Sequence, residues 1–212
     1  MTAQEKIDAS TKVSVIMPSY LGEYEGAAKD RPEKLERAIG SFLGNSHPSK
    51  ELIVVADGCE QSYDIAASFD SKEVRPYIVE KQPLFSGLVR QKGLDVATGD
   101  IIVYLDSDDM HGTHHLASIV RQMNANSLDW CYFNDFIQTP GGTIPRSVEL
   151  EHGSVGTSSI AHLRKLNASW DGCDGYGHDW EFIQRLQNES WNYDKIYGTM
   201  YVVCHVPNTV DY

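Results

Sequence analysis

Ile101-Ile102-Val103-Tyr104-Leu105 runs straight into Asp106-Ser107-Asp108-Asp109. The five apolar residues read as a buried strand, the most apolar of the chain. Three carboxylates within four residues then repel one another unless a cation shares them. A divalent ion takes hard oxygen ligands, and magnesium-type sites use one or two carboxylates together with substrate phosphates. An acidic loop capping a helix would place the same residue types there. The apolar strand directly before them tips the reading to a metal site, because open α/β sheets bind ligands at the carboxyl ends of their strands.

The rest of the chain repeats the theme of short apolar runs alternating with helical periodicity, which predicts an α/β domain. Val13 to Met17 is a strand stopped by Pro18, Leu52 to Ala56 a second ending at Asp57-Gly58, and Val74 to Val79 a third. Between the first two, Pro32 suits a first helical turn, and Leu35, Ala38, Ile39, Phe42 and Leu43 fall on one helix face. Ile65 to Phe69 reads as the end of a helix. Ser86 caps a helix through Leu88, Val89, Leu94 and Ala97, with Gly99 as its stop. His115 to Met123 reads as helix, Trp130 to Ile137 as one strand, and Gly141-Gly142 as a turn. Further on, Ser158 or Ser159 opens a predicted helix over Ile160 to Leu166. A loop with Gly172, Gly175 and Gly177 precedes a helix from Asp179 to Leu186, and Ile196 to Val203 closes the domain as a strand.

Bulk properties set the limits. A chain of 212 residues fits one domain, or one domain with a small appendage. The net charge of −12 argues against broad, sequence-independent nucleic-acid binding, which depends on neutralising phosphates. No apolar run approaches the roughly 20 residues that span a bilayer, and Met1 to Lys12 is polar, unlike a signal peptide. The expected location is cytoplasmic. Cys59, Cys131, Cys173 and Cys204 form no Cys-x-x-Cys pair, so reduced thiols, some buried, are expected rather than a zinc ribbon or a dithiol motif.

The motifs, taken in order, resemble those of the family 2 glycosyltransferases. Val13 to Tyr20 is similar to the family's Val-Ser-Val-Ile-x-Pro-x-Tyr, and Ala56-Asp57-Gly58-Cys59 to its Asp-Asp-Gly-Ser. Gly87 to Leu94 resembles Gly-x-x-x-Arg-Asn-x-Gly-Leu, and is followed by Ala97-Thr98-Gly99-Asp100 and the aspartate cluster. Gly177-His178-Asp179-Trp180-Glu181 is similar to the acceptor-site Gly-Glu-Asp-Trp-Glu. The likeness covers roughly Lys12 to His205. Ala56, Gln91 and His178 depart from it, replacing an aspartate, an asparagine and a glutamate, and the Gly22 to Arg31 segment is longer than the family's turn.

The resemblance implies the GT-A (Rossmann-like) nucleotide-diphospho-sugar transferase fold, with a mixed, mostly parallel sheet flanked by helices. One domain would span 1–212, binding nucleotide sugar over about 12–110 and acceptor over about 111–212. It further implies a nucleotide-sugar donor, a UDP-sugar, and a glycan or other hydroxyl-bearing acceptor. Pro18, Tyr20, Asp57, Arg90, Asp106, Ser107 and Asp108 would hold the donor, with Asp57 accepting a hydrogen bond from uracil. Asp108, Asp109 and His205 would hold Mn2+ or Mg2+. A sugar hydroxyl needs a carboxylate to take its proton as the new bond forms, and Asp179 would be that base. His178 and Trp180 would meet the acceptor. Some of these residues have plainer uses: Asp57 suits a turn, Asp179 a helix cap, and a lone histidine such as His205 is often structural. His111, His114 and His115 read as surface residues. Trp170, Trp180, Trp191 and Tyr176 offer an acceptor platform, at least half of it core packing. The polar Gly22 to Arg31 segment suits a lid that orders on donor binding.

Two rival readings remain at the level of sequence. A sugar nucleotidyltransferase shares the sheet and the metal, but resembles a glycine- and lysine-rich loop after the first strand, which Pro18-Ser19-Tyr20-Leu21-Gly22 is not. A catalytically degenerate sugar-nucleotide-binding subunit is opposed by intact Asp106, Asp108, Asp109 and Asp179 and supported by Ala56 and His178.

Overall fold

The computed structural model describes residues 2–188 and 190–212. After helix α1 (Ala3–Ser10), the first half alternates β1 (Val13–Ser19), α2 (Arg31–Leu43), β2 (Lys50–Asp57), α3 (Glu60–Ser68), β3 (Val74–Val79), α4 (Gly87–Val96) and β4 (Ile101–Tyr104). The second half carries β5 (Met110–His111), α5 (His115–Asn126), β6 (Trp130–Phe133), β7 (Asp135–Thr139), β8 (Gly142–Arg146) and β9 (Ile160–Leu163). It ends with α6 (His178–Asn188), β10 (Tyr193–Ile196), β11 (Tyr201–Val203), β12 (His205–Val206) and β13 (Val210–Asp211).

Seven strands form the main sheet in the order β10-β6-β9-β4-β1-β2-β3. Neighbours run parallel except at β9, which is antiparallel to both β4 and β6. This is the mixed, mostly parallel α/β sheet that the resemblance implied. A smaller sheet, β5-β11-β7-β8, packs beside it, and β12 pairs with β13. Alternation along each main strand divides the core between the two faces. Val13, Val15, Met17, Leu52 and Val54 pack with Leu35, Ala38, Ile39 and Phe42 of α2. Ile16, Ile53, Val55, Ile102 and Tyr104 meet Trp130, Trp170 and Phe182 on the other face. Each of the large side chains, fully buried, contributes roughly 1.5–3 kcal/mol.

Several local expectations are corrected, and the reason is the sheet. Ile160 to Leu166 is no helix: Ile160, Ala161 and His162 are buried as β9 between two strands, with 3-10 turns on either side. The run Trp130 to Ile137 splits at Asn134, β6 joining the large sheet and β7 the small one. Ile196 to Val203 divides likewise, at a turn through Gly198. Strand β1 passes through Pro18 to Ser19. Ser86 does cap α4, accepting from Leu88 N, but the helix ends in extended backbone at Ala97 and not at Gly99. Gly99 serves a close approach instead, because a Cβ there would lie 2.5 Å from Ser14 N.

His111 and His115 are also corrected. Both are buried, their ring centroids 4.2 Å apart, and of the three histidines only His114 is exposed. His111 is drawn in by β5 pairing with β11, and His115 packs edge-on to Phe133. Met200 N donates to His115 Nδ1. Burial pushes His111 down to about 3, His115 well below its ordinary value, and His162 down to about 4. The unfolded chain protonates these rings below about pH 6.5 while the native chain does not. Their stabilisation is therefore complete above that pH and drains as pH falls toward the folded values, by roughly 1.4 kcal/mol per pH unit per histidine. The strand-end carboxylates Asp106, Asp108 and Asp109 are raised and act in the opposite sense. We expect the melting temperature to fall less steeply between pH 6.5 and 4.5 in His162→Gln than in the parent. Equal slopes would show that His162 does not titrate on unfolding.

Candidate active site

The carboxyl ends of β1, β2 and β4 open into a cleft of about 530 Å³. Its wall brings together the residues for which the resemblance implies donor, metal, base and acceptor roles: Pro18, Tyr20, Asp57, Arg90, Asp106, Ser107, Asp108, Asp109, His178, Asp179, Trp180 and His205. They come from chain segments far apart in sequence, which the topology closes on one point.

The three aspartates after β4 differ in their surroundings. Asp109 is buried and saturated: Cys204 N donates to Oδ1 at 2.7 Å and Tyr201 Oη to Oδ2 at 2.8 Å. The same Tyr201 hydroxyl accepts from Asp106 N, so it braces the turn from both sides. Asp106 pairs with Arg90 at 3.1 Å. Asp108 receives no hydrogen bond from another side chain among the described residues. Burial raises all three, most strongly Asp109, where the charges of Asp108 and Asp106 add to it; at Asp106 the Arg90 charge opposes the rise.

Glu51, at the start of β2, provides a contrast. Ser14 Oγ, Thr98 N and Oγ1, Arg75 and Lys12 all donate to it. Burial alone would raise its value, but these partners hold it down at about 2. One buried carboxylate is thus fully compensated within the chain, while among the described residues no other side chain donates to Asp108 and the His205 and Lys34 charges only partly offset its rise. That deficit, with hard oxygen donors beside it, fits a divalent cation. Among the described residues no three His, Cys, Asp or Glu side chains form a ready-made ligand set, so substrate phosphate and water would complete the shell. Asp109 has both oxygens engaged. His205 Nε2 donates to Gly26 O at 2.9 Å, and its Nδ1 lies 3.4 Å from Asp211. Nε2 is thus engaged by the backbone, whereas the buried Nδ1 has no hydrogen-bond partner among the described residues, and the His205 charge opposes the rise at Asp108.

Asp179 sits in the first turn of α6. Thr157 N and Oγ1 donate to its Oδ2 at 3.2 and 3.0 Å, and its Oδ1 lies 2.8 Å from His178 Nε2. His178 Nδ1 faces the Gly175 carbonyl, which can only accept, so Nδ1 carries a proton. Nε2 is then either bare, accepting from Arg90 at 3.0 Å, or protonated and donating to Asp179. A neutral ring cannot satisfy both neighbours. Burial would raise Asp179, but the His178 contact and the Arg90 charge outweigh it and hold the carboxyl below its ordinary range. The lowered value keeps it a carboxylate at neutral pH.

At the carboxyl end of β2, Asp57 accepts from Lys81 Nζ at 2.8 Å and from Gln82 N at 2.6 Å. The Lys81 ammonium also lies 4.3 Å from the Tyr20 ring centroid, and Tyr24 stacks beside that ring. The Gly22 to Arg31 segment, read as a lid that orders on donor binding, makes several hydrogen bonds to its surroundings. Arg31 donates to the Tyr20 and Gly22 carbonyls, His205 to Gly26 O, and Lys29 N to Asp211, which also pairs with Lys34. Sequence reasoning passed over Lys81, Thr157 and Tyr201. Lys81 follows the end of β3, where a strand-end rule would have found it; nothing local marks Thr157 or Tyr201. Trp170 is fully buried against Phe182 and belongs to the core, Trp191 lies outside the cleft wall, and Trp180 and Tyr176 line it.

Comparison with known proteins shows the family and the fold. The family described as Glycosyl transferase family 2 matches residues 14–193. The chain belongs to glycosyl transferase family 2. Among family 2 relatives, an uncharacterised glycosyltransferase of Nostoc sp. is 29% identical over 121 residues, 55% of this chain and 34% of that one. Staphylococcus aureus poly(ribitol-phosphate) β-N-acetylglucosaminyltransferase TarP is 26% identical over 153 residues, 70% of this chain and 44% of TarP. The chain therefore spans less than half the length of either. The crystal structure of S. aureus TarS 1–349 superposes with a TM-score of 0.72 at 16% identity, covering 91% of this chain and 60% of that one. The same fragment in complex with UDP-GlcNAc gives 0.64 at 17%, covering 88% and 59%. At such identity the likeness speaks for the fold, which is the GT-A arrangement. No helix among the described residues is long and apolar enough to cross a membrane.

Proposed function

We propose that this chain transfers a glycosyl group from a nucleoside diphosphate sugar to an acceptor hydroxyl. The observation that carries the reading is the meeting, in one cleft, of a strand-end carboxylate to which no other described side chain donates, Asp108, with an ionised carboxylate on a different element, Asp179. A sugar transferase needs both kinds of group, one beside the leaving diphosphate and one beside the incoming hydroxyl. UDP is the favoured nucleotide, supported by the UDP-GlcNAc held by the TarS structure.

Asp108, with the donor's diphosphate, would hold a magnesium or manganese ion, whose chemistry is to neutralise charge on the leaving group. Asp106 is kept in place by Arg90, and Asp109 by Tyr201 and Cys204 N. Asp57, Tyr20 and Pro18 receive the nucleoside, with Lys81 beside them as a further donor. Asp179 Oδ1 takes the acceptor proton while Thr157 keeps the carboxylate oriented through Oδ2. A single in-line displacement inverts the anomeric centre. Thermal stabilisation by UDP, GDP, CDP and ADP, each with Mg2+ and with Mn2+, tests the donor reading. UDP is expected to stabilise most and only with metal present; equal or absent shifts for all four nucleotides would overturn it.

A further inference from the structure

The proposed reaction leaves the acceptor open, and the mouth of the cleft carries features that neither catalysis nor packing requires. Phe85 lies in the left-handed region, φ 59°, with 46% of its surface exposed. That backbone conformation is a true outlier for a bulky residue, and glycine or asparagine would adopt it at lower cost. The chain thus tolerates strain in order to display an aromatic ring to water. Tyr176, 87% exposed, meets that ring edge-on with centroids 5.7 Å apart. Phe85 also lies 6.2 Å from the ring of His178, whose Nε2 is the 2.8 Å neighbour of Asp179. Trp180, the residue after Asp179, packs edge-on to the exposed ring of His152.

The backbone segments that carry Phe85 and Tyr176 are tied to each other. Gly87 N donates to Cys173 O at 2.9 Å, and Ser86 bridges to Asp174, which ties the Phe85 turn to the loop bearing Tyr176. Gly87 is required there, because a Cβ would lie 2.7 Å from the carbonyl oxygens of Trp170 and Cys173.

Charge defines the ligand further. The loops 147–158 and 171–181, which supply this side of the cleft, contain Glu149, Glu151, Asp171, Asp174, Asp179 and Glu181 and no lysine or arginine. The two arginines of the cleft wall are already spent, Arg90 on Asp106 and Arg146 on Asp135. Glu149 is offset by Lys195, and the exposed Arg185 beside the 171–174 loop lies outside the cleft wall, so within that wall an anionic acceptor would meet no unpaired lysine or arginine. Aromatic faces carry negative charge density and attract the C–H faces of a sugar ring, which need no cation.

Resting on the transferase reading, we propose that the mouth of the cleft is a subsite for an uncharged carbohydrate acceptor, its ring packed on Phe85, Tyr176 and Trp180 with the reacting hydroxyl at Asp179. The probes are methyl β-D-glucopyranoside and methyl N-acetyl-β-D-glucosaminide as neutral sugars and ribitol 5-phosphate as the anion. Saturation-transfer NMR titrations of the full chain are run with and without UDP and Mg2+. Neutral glycosides should bind and the anion should not. Phe85→Gly and Tyr176→Ala should each weaken glycoside binding by about threefold or more. Phe85→Gly relieves the backbone strain, so it should melt no lower than the parent while binding worse, a pairing that a purely structural role would not give. Tyr176→Ala, at a highly exposed position, keeps the test available if the glycine variant folds poorly. Unchanged glycoside affinity in both variants, or tighter binding of ribitol 5-phosphate than of the sugars, overturns the subsite. Loss of UDP binding with glycoside contacts intact would overturn the donor reading and leave this one standing.

Discussion

Asp108→Ala is expected to abolish the metal-dependent thermal stabilisation of this chain by UDP. At a hundredfold excess over the dissociation constant, a ligand that binds only the native state stabilises it by about 2.7 kcal/mol. For a chain of this length that corresponds to a melting-temperature rise of roughly 5–10 °C. Asp108 is the group to remove because no other described side chain donates to its carboxylate, whereas Asp109 is bonded at both oxygens and Asp106 is paired with Arg90. The apo protein should respond in the opposite direction. Asp108 and Asp109 are raised in the native state, in part by like charge, so holding them ionised at neutral pH costs stability. Taking one carboxylate away relieves the other. The variant should therefore melt at or above the parent temperature without ligand and gain nothing from UDP with Mn2+ or Mg2+. An Asp108→Ala protein that keeps the parent's metal-dependent shift would show that the ion is held elsewhere. Asp109→Ala makes the contrasting case, since it leaves Tyr201 Oη and Cys204 N without their acceptor and should lower apo stability.

That contrast also marks how far the sequence could be read. The strands leading into Asp57 and Asp106 were legible because they are short, apolar and end in acids, and a parallel sheet gathers such ends at one edge. The α2 face was legible from spacing alone. What periodicity lacks is the identity of the neighbouring strand. Ile160 to Leu163 has a composition that suits a helix, and only its place between β4 and β6 makes it extended. Trp130 to Ile137 looks like one strand because nothing in an apolar run announces that the chain changes sheets at Asn134. The aspartate cluster likewise looks like three equivalent ligands on paper. Their inequality comes from Tyr201, Cys204 and Arg90, residues from 16 to 95 positions away in the chain that no local rule connects to them. Phe85 was invisible for a different reason, because a left-handed aromatic violates the propensity on which the reading depends.

Asp179→Asn should separate catalysis from binding. Oδ2 accepts from Thr157 N and Oγ1, and an asparagine carbonyl can take those bonds unchanged. Its amide would then lie where Oδ1 now sits, 2.8 Å from His178 Nε2, and can donate to that nitrogen when it is bare. The substitution thus fits the fold, and asparagine caps helices as well as aspartate does. What it cannot do is accept a proton from a hydroxyl as the glycosidic bond forms. Turnover should fall by roughly a hundredfold or more, while UDP affinity measured by calorimetry with Mn2+ stays near the parent value. The pH profile supplies a second check. His178 and Arg90 hold Asp179 below its ordinary range, so it stays ionised from neutral pH down through pH 5. Its protonation should leave no falling limb in the turnover of the parent enzyme over that interval. If Asp179 only caps α6, the asparagine variant turns over at close to the parent rate, and the proton must pass instead to His178 Nε2, the other basic atom within reach of the same hydroxyl.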